Sequence, residues 1–475
     1  MKEKEKSGVL VLLSLLATIG FFVIDIQFAS PVDTKADAGR TRARDPGVRP
    51  GTGAAGGPID KLSTKEKEFF ALGLADFIEE EEVDEGIGPR MNLDSCGGCH
   101  AHPAVGGTSP AENPQVAFAS KGGGTDRVPS FITKTGPIRE ARYVRNADGT
   151  PDGGVHALFT VNGREGATNC NLAREDFERE FANRNVIFRI PTPLFGAGLI
   201  EMIPDAAILA NQTVDQARKR DLGIRGRPNF VSPGNRITGA PNRNGNDGTV
   251  ARFGWKAQNV SLLLFSGEAY NVEMGITSEL FQNERDQTPE CQYAKVPNDT
   301  QNFEALDALT GTTAIQNFAN FQRFLAPPKP SDDTPGGAPS ISRGKKLFND
   351  NDVGCAACHT PTLRTGISSV AALYDQPVNL FSDLMIHDMG PGLADGVFQG
   401  QAGPSDFRTA PLWGLGQRIF FLHDGRTRDL LVAIQEHKSG SSRSRDASEA
   451  NTVVDNFNRL SEGQKQDFLN FLRSL

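Results

Sequence analysis

The chain has 475 residues, a formal net charge of -8 and a pI near 5.5. A single core rarely grows past about 250–300 residues without splitting, so this length predicts at least two compact units. The acidic balance offers no concentrated basic face and gives no support to a nucleic-acid partner. The 51 glycines and 29 prolines indicate many turns and long loops.

The N-terminal segment has the form of a targeting signal. Lys2, Lys4 and Lys6 precede an apolar run over residues 9–24. This pattern predicts a signal peptide or N-terminal membrane anchor over residues 1–38, and it predicts a periplasmic or otherwise extracytoplasmic location. A cleaved signal is the favoured alternative, and an uncleaved segment would tether the protein to a membrane. Residues 39–60 are poor in large apolar side chains and predict a disordered linker.

Four of the six cysteines form two copies of one pattern. These are Cys96-Gly97-Gly98-Cys99-His100 and Cys355-Ala356-Ala357-Cys358-His359. Two thiols at this spacing can form thioethers with the two vinyl groups of one haem, and the adjacent histidine then binds the iron as proximal ligand. The sequence therefore predicts two covalently bound haem c groups, with Cys96, Cys99, Cys355 and Cys358 as attachment sites and His100 and His359 as iron ligands.

Two other interpretations of the cysteines are weaker. A single four-thiolate zinc site would leave both histidines unexplained and would join pairs about 250 residues apart, which is wider than zinc ribbons use. A thioredoxin-like pair would need a βαβ context that neither flank supplies. The remaining Cys170 and Cys291 could form a disulfide in an exported protein, and spacing alone leaves the pairing open.

The chain also repeats itself. The segment Phe188-Arg189-Ile190-Pro191-Thr192-Pro193-Leu194-Phe195-Gly196-Ala197-Gly198 recurs, one residue shorter, over residues 407–416. Each copy is followed by an aromatic stripe at helical spacing, which predicts a terminal helix facing the core. The two stripes are Phe318, Phe321, Phe324 and Leu325, and Phe468, Phe471, Leu472 and Leu475.

These repeats predict a mainly α fold of two cytochrome c-like haem domains with long loops. The first domain spans residues 61–325 and carries an insertion at about 203–303. A Pro-rich linker over residues 326–340 separates it from the second domain at residues 341–475. An insertion on a repeated scaffold is a common place for function-specific surface.

The ordered set of motifs resembles the di-haem oxidoreductase family, together with di-haem cytochrome c peroxidases and the methylamine-utilisation di-haem enzyme. The resemblance implies two haem domains packed face to face, one iron reactive and the other storing an electron, with calcium as a further candidate cofactor. The matching segments are Gly88–Asn92, Ser95–His100, Gly106-Gly107, Arg189–Asp205, Arg252–Ala257, Met274–Thr277, His387–Gly390, Pro411–Gly416 and His423–Arg426.

The resemblance also implies that the far ligand of the second iron comes from the helix after the His-Asp-Gly-Arg turn, which is His437 here. Leu430, Ile434 and His437 share one helical face, so His437 ends an apolar stripe. The alternative is a histidine that interacts with the helix dipole before Gly440. His387 and Met389 are reserve ligands. His423 belongs to a turn whose Arg426 is a candidate partner for a haem propionate.

For the first haem, Glu201 is the candidate catalytic residue. It follows the repeated Gly-x-Gly segment and has no acidic counterpart in the second unit. A carboxylate beside a five-coordinate iron can move a proton between the oxygens of peroxide. The alternative is a carboxylate near the start of the helix that begins at Pro204. His156, Met202 or Met274 could instead cap the first iron, and His102 is interpreted as a solvated neighbour.

The favoured function is a peroxidase-like di-haem oxidoreductase that passes electrons from the second haem to the first. The alternative is a non-catalytic di-haem electron-transfer cytochrome, and an oxygenase acting on a hydrophobic polymer ranks last. The expected partners are a small redox protein or quinol-linked electron donor, and peroxide or another small oxidant. The substrate is not encoded in motifs, because the cofactor performs the difficult chemistry.

Overall fold

A computed structural model describes residues 42–230, 250–293, 299, 311–440 and 446–475. This part of the chain contains thirteen α-helices, whereas its eleven strands are only two to four residues long. The prediction of a mainly α fold with long loops is confirmed at that level. The predicted signal or anchor, residues 1–38, lies outside the described residues. Within the described ranges, no helix combines the length and hydropathy that crossing a membrane requires.

The helices in chain order are α1 (Thr64–Ile78), α2 (Cys96–Cys99), α3 (Gln115–Phe118), α4 (Phe177–Ala182), α5 (Ala197–Glu201), α6 (Asp205–Thr213), α7 (Gln216–Leu222), α8 (Leu262–Met274), α9 (Ala314–Phe324), α10 (Gly337–Phe348), α11 (Leu430–Glu436), α12 (Asn451–Arg459) and α13 (Glu462–Ser474). The strands are β1 (Arg90–Met91), β2 (Glu140–Tyr143), β3 (Val155–His156), β4 (Phe159–Thr160), β5 (Val186–Arg189), β6 (Asn229–Phe230), β7 (Val250–Ala251), β8 (Leu363–Arg364), β9 (Pro377–Val378), β10 (Ile386–Asp388) and β11 (Asp406–Arg408).

Each half of the chain contains one long helix pair. In the first half α1 packs on α9, and in the second half α10 packs on α13. Both crossings depend on a glycine, because a Cβ on Gly73 would lie 2.2 Å from the Asn317 carbonyl oxygen and a Cβ on Gly344 would lie 2.0 Å from that of Asp467. The two halves therefore bring their helices together by the same device.

The repeated Gly-x-Gly segments also occupy equivalent places. A Cβ on Gly198 would lie 1.9 Å from the Arg323 carbonyl oxygen of α9, and a Cβ on Gly416 would lie 2.4 Å from that of Arg473 in α13. The aromatic stripes of α9 and α13 are buried, as predicted from their helical spacing. The internal repeat is thus a structural repeat as well as a sequence repeat.

The strands pair only in small antiparallel sheets. The largest has three strands in the order β3-β2-β5, and its register places Glu140 opposite Arg189. The four two-stranded sheets are β1-β4, β6-β7, β8-β9 and β10-β11. Pairing of β2 with β5 fixes Glu140 and Arg189 side by side, which matters because both residues face a cavity described below.

The predicted disorder of residues 39–60 is wrong for residues 42–60. These residues form no helix or strand, yet Ala43 and Ile59 are buried in the core. Asp45 forms an ion pair with Arg473, and the Arg49 N–H donates to the Gly416 carbonyl oxygen at 2.8 Å. Partners that are distant in sequence hold this segment in place, although its composition alone gives no indication of them.

The predicted Pro-rich linker, residues 326–340, ends in the first turn of α10, which begins at Gly337. Residues 42–475 form one compact unit, and its largest apolar cluster takes side chains from both predicted domains. The predicted insertion supplies α6, α7 and α8. Ser261 caps the start of α8, and Gly275 at φ +76° ends it. The last residue of this helix, Met274, contacts Cys96 of the first cysteine motif through sulfur at 4.0 Å.

Candidate functional site

The first cysteine motif lines a cavity of about 1190 Å³ that is partly open to solvent. Cys96, Cys99 and His100 all face it. The motif forms the short helix α2, and the His100 N–H donates back to the Cys96 carbonyl oxygen at 3.0 Å. This turn places both thiols and the imidazole on the same cavity.

The orientation of His100 is fixed by the loop that follows it. The N–H groups of Gly106 and Gly107 donate to the His100 carbonyl oxygen, and Gly106 makes that return possible at φ +88°. The imidazole Nδ1 in turn lies 2.9 Å from the Gly107 carbonyl oxygen. Burial lowers the pKa of His100 to about 4, so the ring is neutral at pH 7. The ring also has a backbone hydrogen bond to Thr192. A hydrogen bond from one ring nitrogen to a backbone carbonyl is how protein scaffolds orient metal-binding histidines.

The second motif lines a separate cavity of about 1400 Å³. Cys355, Cys358 and His359 face it, and the His359 Nδ1 lies 3.0 Å from the Phe381 carbonyl oxygen. Burial, together with nearby His437, lowers the pKa of His359 to about 4. The two cysteine pairs line different cavities, so they cannot form one four-thiolate zinc site.

The structure brings His437 to the same cavity as His359. His437 is the C-cap residue of α11, and its Nδ1 lies 2.7 Å from the Ala433 carbonyl oxygen one turn earlier. Burial lowers its pKa. The second cavity therefore holds two imidazoles, each with Nδ1 bonded to a backbone carbonyl and Nε2 available.

The reserve ligands of the second cavity are placed less favourably. His387 lies 2.9 Å from a Glu449 oxygen through Nδ1 and 3.0 Å from an Asp383 oxygen through Nε2, so carboxylates occupy both ring nitrogens. Met389 lines the cavity. His423 also lines it and stacks on Phe407 at a centroid distance of 4.4 Å.

Glu201 does not line the first cavity. Its carboxylate accepts a hydrogen bond from Arg323 Nε at 2.7 Å and another from the Leu262 N–H at 2.8 Å. These contacts join α5, α8 and α9, which is a structural role. His156 is also distant from the iron position because it stacks on Tyr143 at 3.6 Å, and the His102 Nε2 contacts the Gln417 carbonyl oxygen at 2.7 Å.

Three other glutamates face the first cavity and were not singled out from the sequence: Glu140, Glu268 and Glu273. Burial and the neighbouring Glu140 raise the pKa of Glu273 well above its usual range. Glu140 keeps its charge because the Arg142 guanidinium, in direct contact, outweighs the cost of burial and lowers its pKa. The cavity thus holds two hydrogen-bonded carboxyl groups whose pKa values are shifted in opposite directions.

Comparison with known sequences decides the family. The profile of the family described as "Di-haem oxidoreductase, putative peroxidase" matches residues 141–475. The chain belongs to the di-haem oxidoreductase family. Membership of this family implies haem as the cofactor. No curated protein sequence matches this di-haem oxidoreductase significantly.

Solved structures show only distant likeness. A MauG-like protein associated with microbial copper homeostasis is 20% identical, with a TM-score of 0.25; the match covers 36% of this di-haem oxidoreductase and 55% of that protein, which is about half its length. The diheme peroxidase BthA from Burkholderia thailandensis is 16% identical, with coverages of 60% and 86% and a TM-score of 0.29. Hydrazine synthase from Kuenenia stuttgartiensis is 15% identical, with coverages of 55% and 88% and a TM-score of 0.21. Scores at this level support no argument about function.

The residues present fit haem in both cavities of this di-haem oxidoreductase. Each cavity combines a thiol pair, an imidazole whose Nδ1 is bonded to a backbone carbonyl oxygen, and largely apolar walls. The second also contains two guanidinium groups, those of Arg408 and Arg418, that have no acidic partner within the described ranges. A flat apolar group with two carboxylates matches these features. Calcium stays a prediction from the family resemblance, and the described residues contain no group of three or more ligands placed for a metal ion.

Two further features connect the site to the rest of the di-haem oxidoreductase. Trp255 lines both cavities, and its indole N–H donates to the Ile190 carbonyl oxygen at 2.9 Å. Cys170 and Cys291 form a disulfide across 121 residues of chain. This bond attaches the turn before α4 to the segment after α8, the helix that lines part of the first cavity.

Proposed function

We propose that this protein is a peroxidase-like oxidoreductase in which the His100 haem reacts with a small oxidant and the His359 haem stores an electron. The observation that carries the proposal is the unequal set of donors in the two cavities. Four histidines line the second cavity, and two of them, His359 and His437, have Nδ1 bonded to a backbone carbonyl oxygen. Among the described residues, the first offers only one imidazole, that of His100, together with three glutamates.

Haem attached by the paired thiols supplies one-electron chemistry and, with a single strong ligand, an open coordination position. Met274 also lines the first cavity, but its sulfur lies 4.0 Å from the Cys96 thiol. That distance places the thioether beside the attachment point. The His100 cavity is therefore the one where a small oxidant can bind.

The glutamates of the first cavity can supply protons. Reduction of hydrogen peroxide to two waters consumes two electrons and two protons. Asn92 Nδ2 donates to Glu273 Oε2 at 2.7 Å, which leaves Oε1 to carry the proton. Glu273 can deliver that proton as a general acid, and the adjacent Glu140, held ionised by Arg142, can accept one in return.

Trp255 is the residue best placed to carry electrons between the cavities. It lines both of them, its indole contacts the first half at Ile190, and Arg408 of the second half holds its backbone. The Arg408 N–H donates to the Trp255 carbonyl oxygen at 2.8 Å, and Arg408 Nε donates to the Gly254 carbonyl oxygen at 2.9 Å. An electron donated by an external redox partner at the second haem would pass this side chain to reach the first.

We also propose that the protein functions outside the cytoplasm. The apolar N-terminal run, the two Cys-x-x-Cys-His motifs and the disulfide between Cys170 and Cys291 support this location. Oxidising compartments allow disulfides to persist, whereas cytosolic thiols are kept reduced.

The test is the spin state of the ferric holoprotein together with peroxide turnover. We expect one high-spin and one low-spin iron by electron paramagnetic resonance. Glu273→Gln should lower kcat/KM for hydrogen peroxide by at least about 100-fold, the lower end of the range for general acid catalysis. Glu201→Gln is the control, because Glu201 is a hydrogen-bonded carboxylate that lies outside the cavity, and it should stay within about threefold of the native rate. Two low-spin irons, before and after partial reduction, would overturn the peroxidase proposal.

The second candidate function is a non-catalytic electron-transfer cytochrome. The thioether of Met274 favours it, since methionine can cap a haem iron. In that case Met274→Ala would convert a low-spin first haem into a high-spin one. In the peroxidase proposal the first haem is already high-spin and this substitution leaves its spectrum unchanged.

A further inference from the structure

Two arginines of the second cavity, one buried and one half-buried, have no acidic partner within the described ranges. Arg408 and Arg418 both line it, and Arg418 is only 8% exposed. Arg408 Nε donates to the Gly254 carbonyl oxygen at 2.9 Å and Nη1 to its neighbour Thr409 at 3.4 Å. Within the described ranges the Arg418 side chain makes no hydrogen bond or ion pair.

Several other buried arginines in the described part of the chain form ion pairs, whereas Arg49 meets only backbone carbonyl oxygens. Arg252 contacts Asp205, and Arg473 binds Asp45. The most direct comparison is Arg189, which occupies the position in the first repeat that Arg408 occupies in the second. Arg189 forms an ion pair with Asp395 at 2.8 Å, whereas Arg408 has no carboxylate. The two repeats can therefore be compared directly at this position, where the arginine of the first repeat has a carboxylate partner and the arginine of the second has none.

Leaving two guanidinium charges unpaired in an apolar cavity is costly, because burial removes their hydration without a compensating anion. Burial and mutual repulsion lower the pKa of Arg408 to about 10, and burial and Arg473 do the same for Arg418. Both side chains nevertheless remain charged at pH 7. The nearest acid, Asp383, already accepts from His387 and the Met385 N–H.

We propose that Arg408 and Arg418 bind the two propionate carboxylates of the haem in the second cavity. The inference rests on the proposed function, since it requires haem at His359. A guanidinium presents a planar pair of N–H donors that matches a carboxylate, and two arginines match two propionates in number and in charge. The ligand chemistry is thus a dicarboxylate on an otherwise apolar group.

The position of the pair adds a second consequence. Arg408, Arg418 and Trp255 also line a smaller cavity of about 560 Å³ between the two repeated Pro-Leu segments. The arginines therefore lie on the side of the second haem cavity that faces the first. In the first cavity Arg142 contacts Glu140 and Arg189 contacts Asp395, whereas Arg139 donates only to the Phe131 carbonyl oxygen and has no ion pair within the described ranges.

Positive charge beside a haem favours the ferrous state, which carries one positive charge less than the ferric state. Arg408 and Arg418 should accordingly raise the reduction potential of the second haem relative to the first. This makes them positioning residues for electron storage: they hold the cofactor, and they bias the electron towards His359.

The experiment is potentiometric titration of the holoprotein, which resolves two haem waves, for Arg408→Gln, Arg418→Gln and their double variant. We expect one wave to shift towards the ferric form by at least tenfold in its equilibrium constant, which is about 59 mV for a one-electron couple. The other wave should move by less than about threefold. Arg364→Gln, an exposed arginine of the same half that pairs only with Asp375, is the matched control and should move neither wave.

A vibrational measurement separates binding from a general charge effect. Resonance Raman bending bands of the propionates should shift in Arg418→Lys, which keeps the charge but loses the forked donor pair, while its potential stays near the native value. The inference would be overturned if, in the Arg408 and Arg418 double variant, the equilibrium constants of both haem waves changed by less than about twofold and the propionate bands did not shift. Failure of the proposed function has a different signature, since it appears as two low-spin irons in the native protein.

Discussion

Replacing Glu201 tests whether this carboxylate supports the fold or takes part in the reaction. Its side chain is 3% exposed, and it binds Arg323 at 2.7 Å and the Leu262 N–H at 2.8 Å. Removing one partner of a buried ion pair costs about 3–5 kcal/mol, and the 25% exposure of the Arg323 side chain reduces that to about 2–3 kcal/mol. Loss of the hydrogen bond to Leu262 adds about 1 kcal/mol. We expect Glu201→Ala to lower the free energy of unfolding by about 3–4 kcal/mol.

Denaturant unfolding of the holoprotein, followed by far-ultraviolet circular dichroism, measures this loss, and peroxide turnover is measured below the transition. Glu201→Gln keeps an acceptor for the Leu262 N–H and should cost only about 1–2 kcal/mol. Arg323→Gln supplies the other arm of a double-mutant cycle, in which the two losses are less than additive because the residues share one interaction. A Glu201→Gln protein with native stability and turnover reduced 100-fold would refute this reasoning and restore a catalytic role.

Two other predictions concern histidines. His437→Ala should convert the low-spin iron of the second haem to high spin, as measured in the ferric optical spectrum. His102 lies outside both cavities, so His102→Ala is the control and should leave the spectrum unchanged. An unchanged spectrum for His437→Ala would contradict the assignment of His437 as a ligand. Burial opposes the charge on His156, but hydrogen bonds to Glu175 and Asp152 outweigh burial and raise its pKa. A histidine whose pKa is higher in the folded than in the unfolded state stabilises the fold when the pH is below its unfolded-state pKa of about 6.5. This contribution to stability disappears as the pH rises through the folded-state pKa. The stability deficit of His156→Gln should therefore be larger at pH 6 than at pH 9 in denaturant titrations, and an equal deficit at both values would contradict it.

Local patterns in the sequence predicted the frame of the molecule well. The Cys-x-x-Cys-His motifs encode their own geometry, because a five-residue turn brings both thiols and the histidine to one cavity. The stripes of α9 and α13 needed only helical periodicity to be recognised as core. His437 combined such a stripe with the family resemblance, and the structure places it opposite the expected motif in the second cavity, where its role as a ligand stays a prediction.

Features that depend on distant partners were not predictable. Residues 42–60 have the composition of a linker, but Asp45 and Arg49 find their partners more than 360 residues away at Arg473 and Gly416. Glu201 was chosen by its position in the repeat, yet only the packing of α5 against α8 and α9 shows that Arg323 occupies its carboxylate. Glu273 directly precedes a segment that carries the family resemblance, so a weak signal existed for it. Its raised pKa comes from burial and from Glu140, 133 residues earlier, and no local pattern records either.

The same reasoning explains how a repeated frame can support two unequal sites. The glycine contacts at Gly73 and Gly344 set equivalent helix crossings in both halves, so the frame itself does not distinguish them. The difference lies in which buried charges find partners. Asp395 of the second half neutralises Arg189 of the first, and this leaves Arg408, the equivalent of Arg189, without a carboxylate of its own. The proposed bias of the electron towards the second site follows from this difference in pairing, since Arg408 and Arg418 keep their charges uncompensated while Arg189 does not.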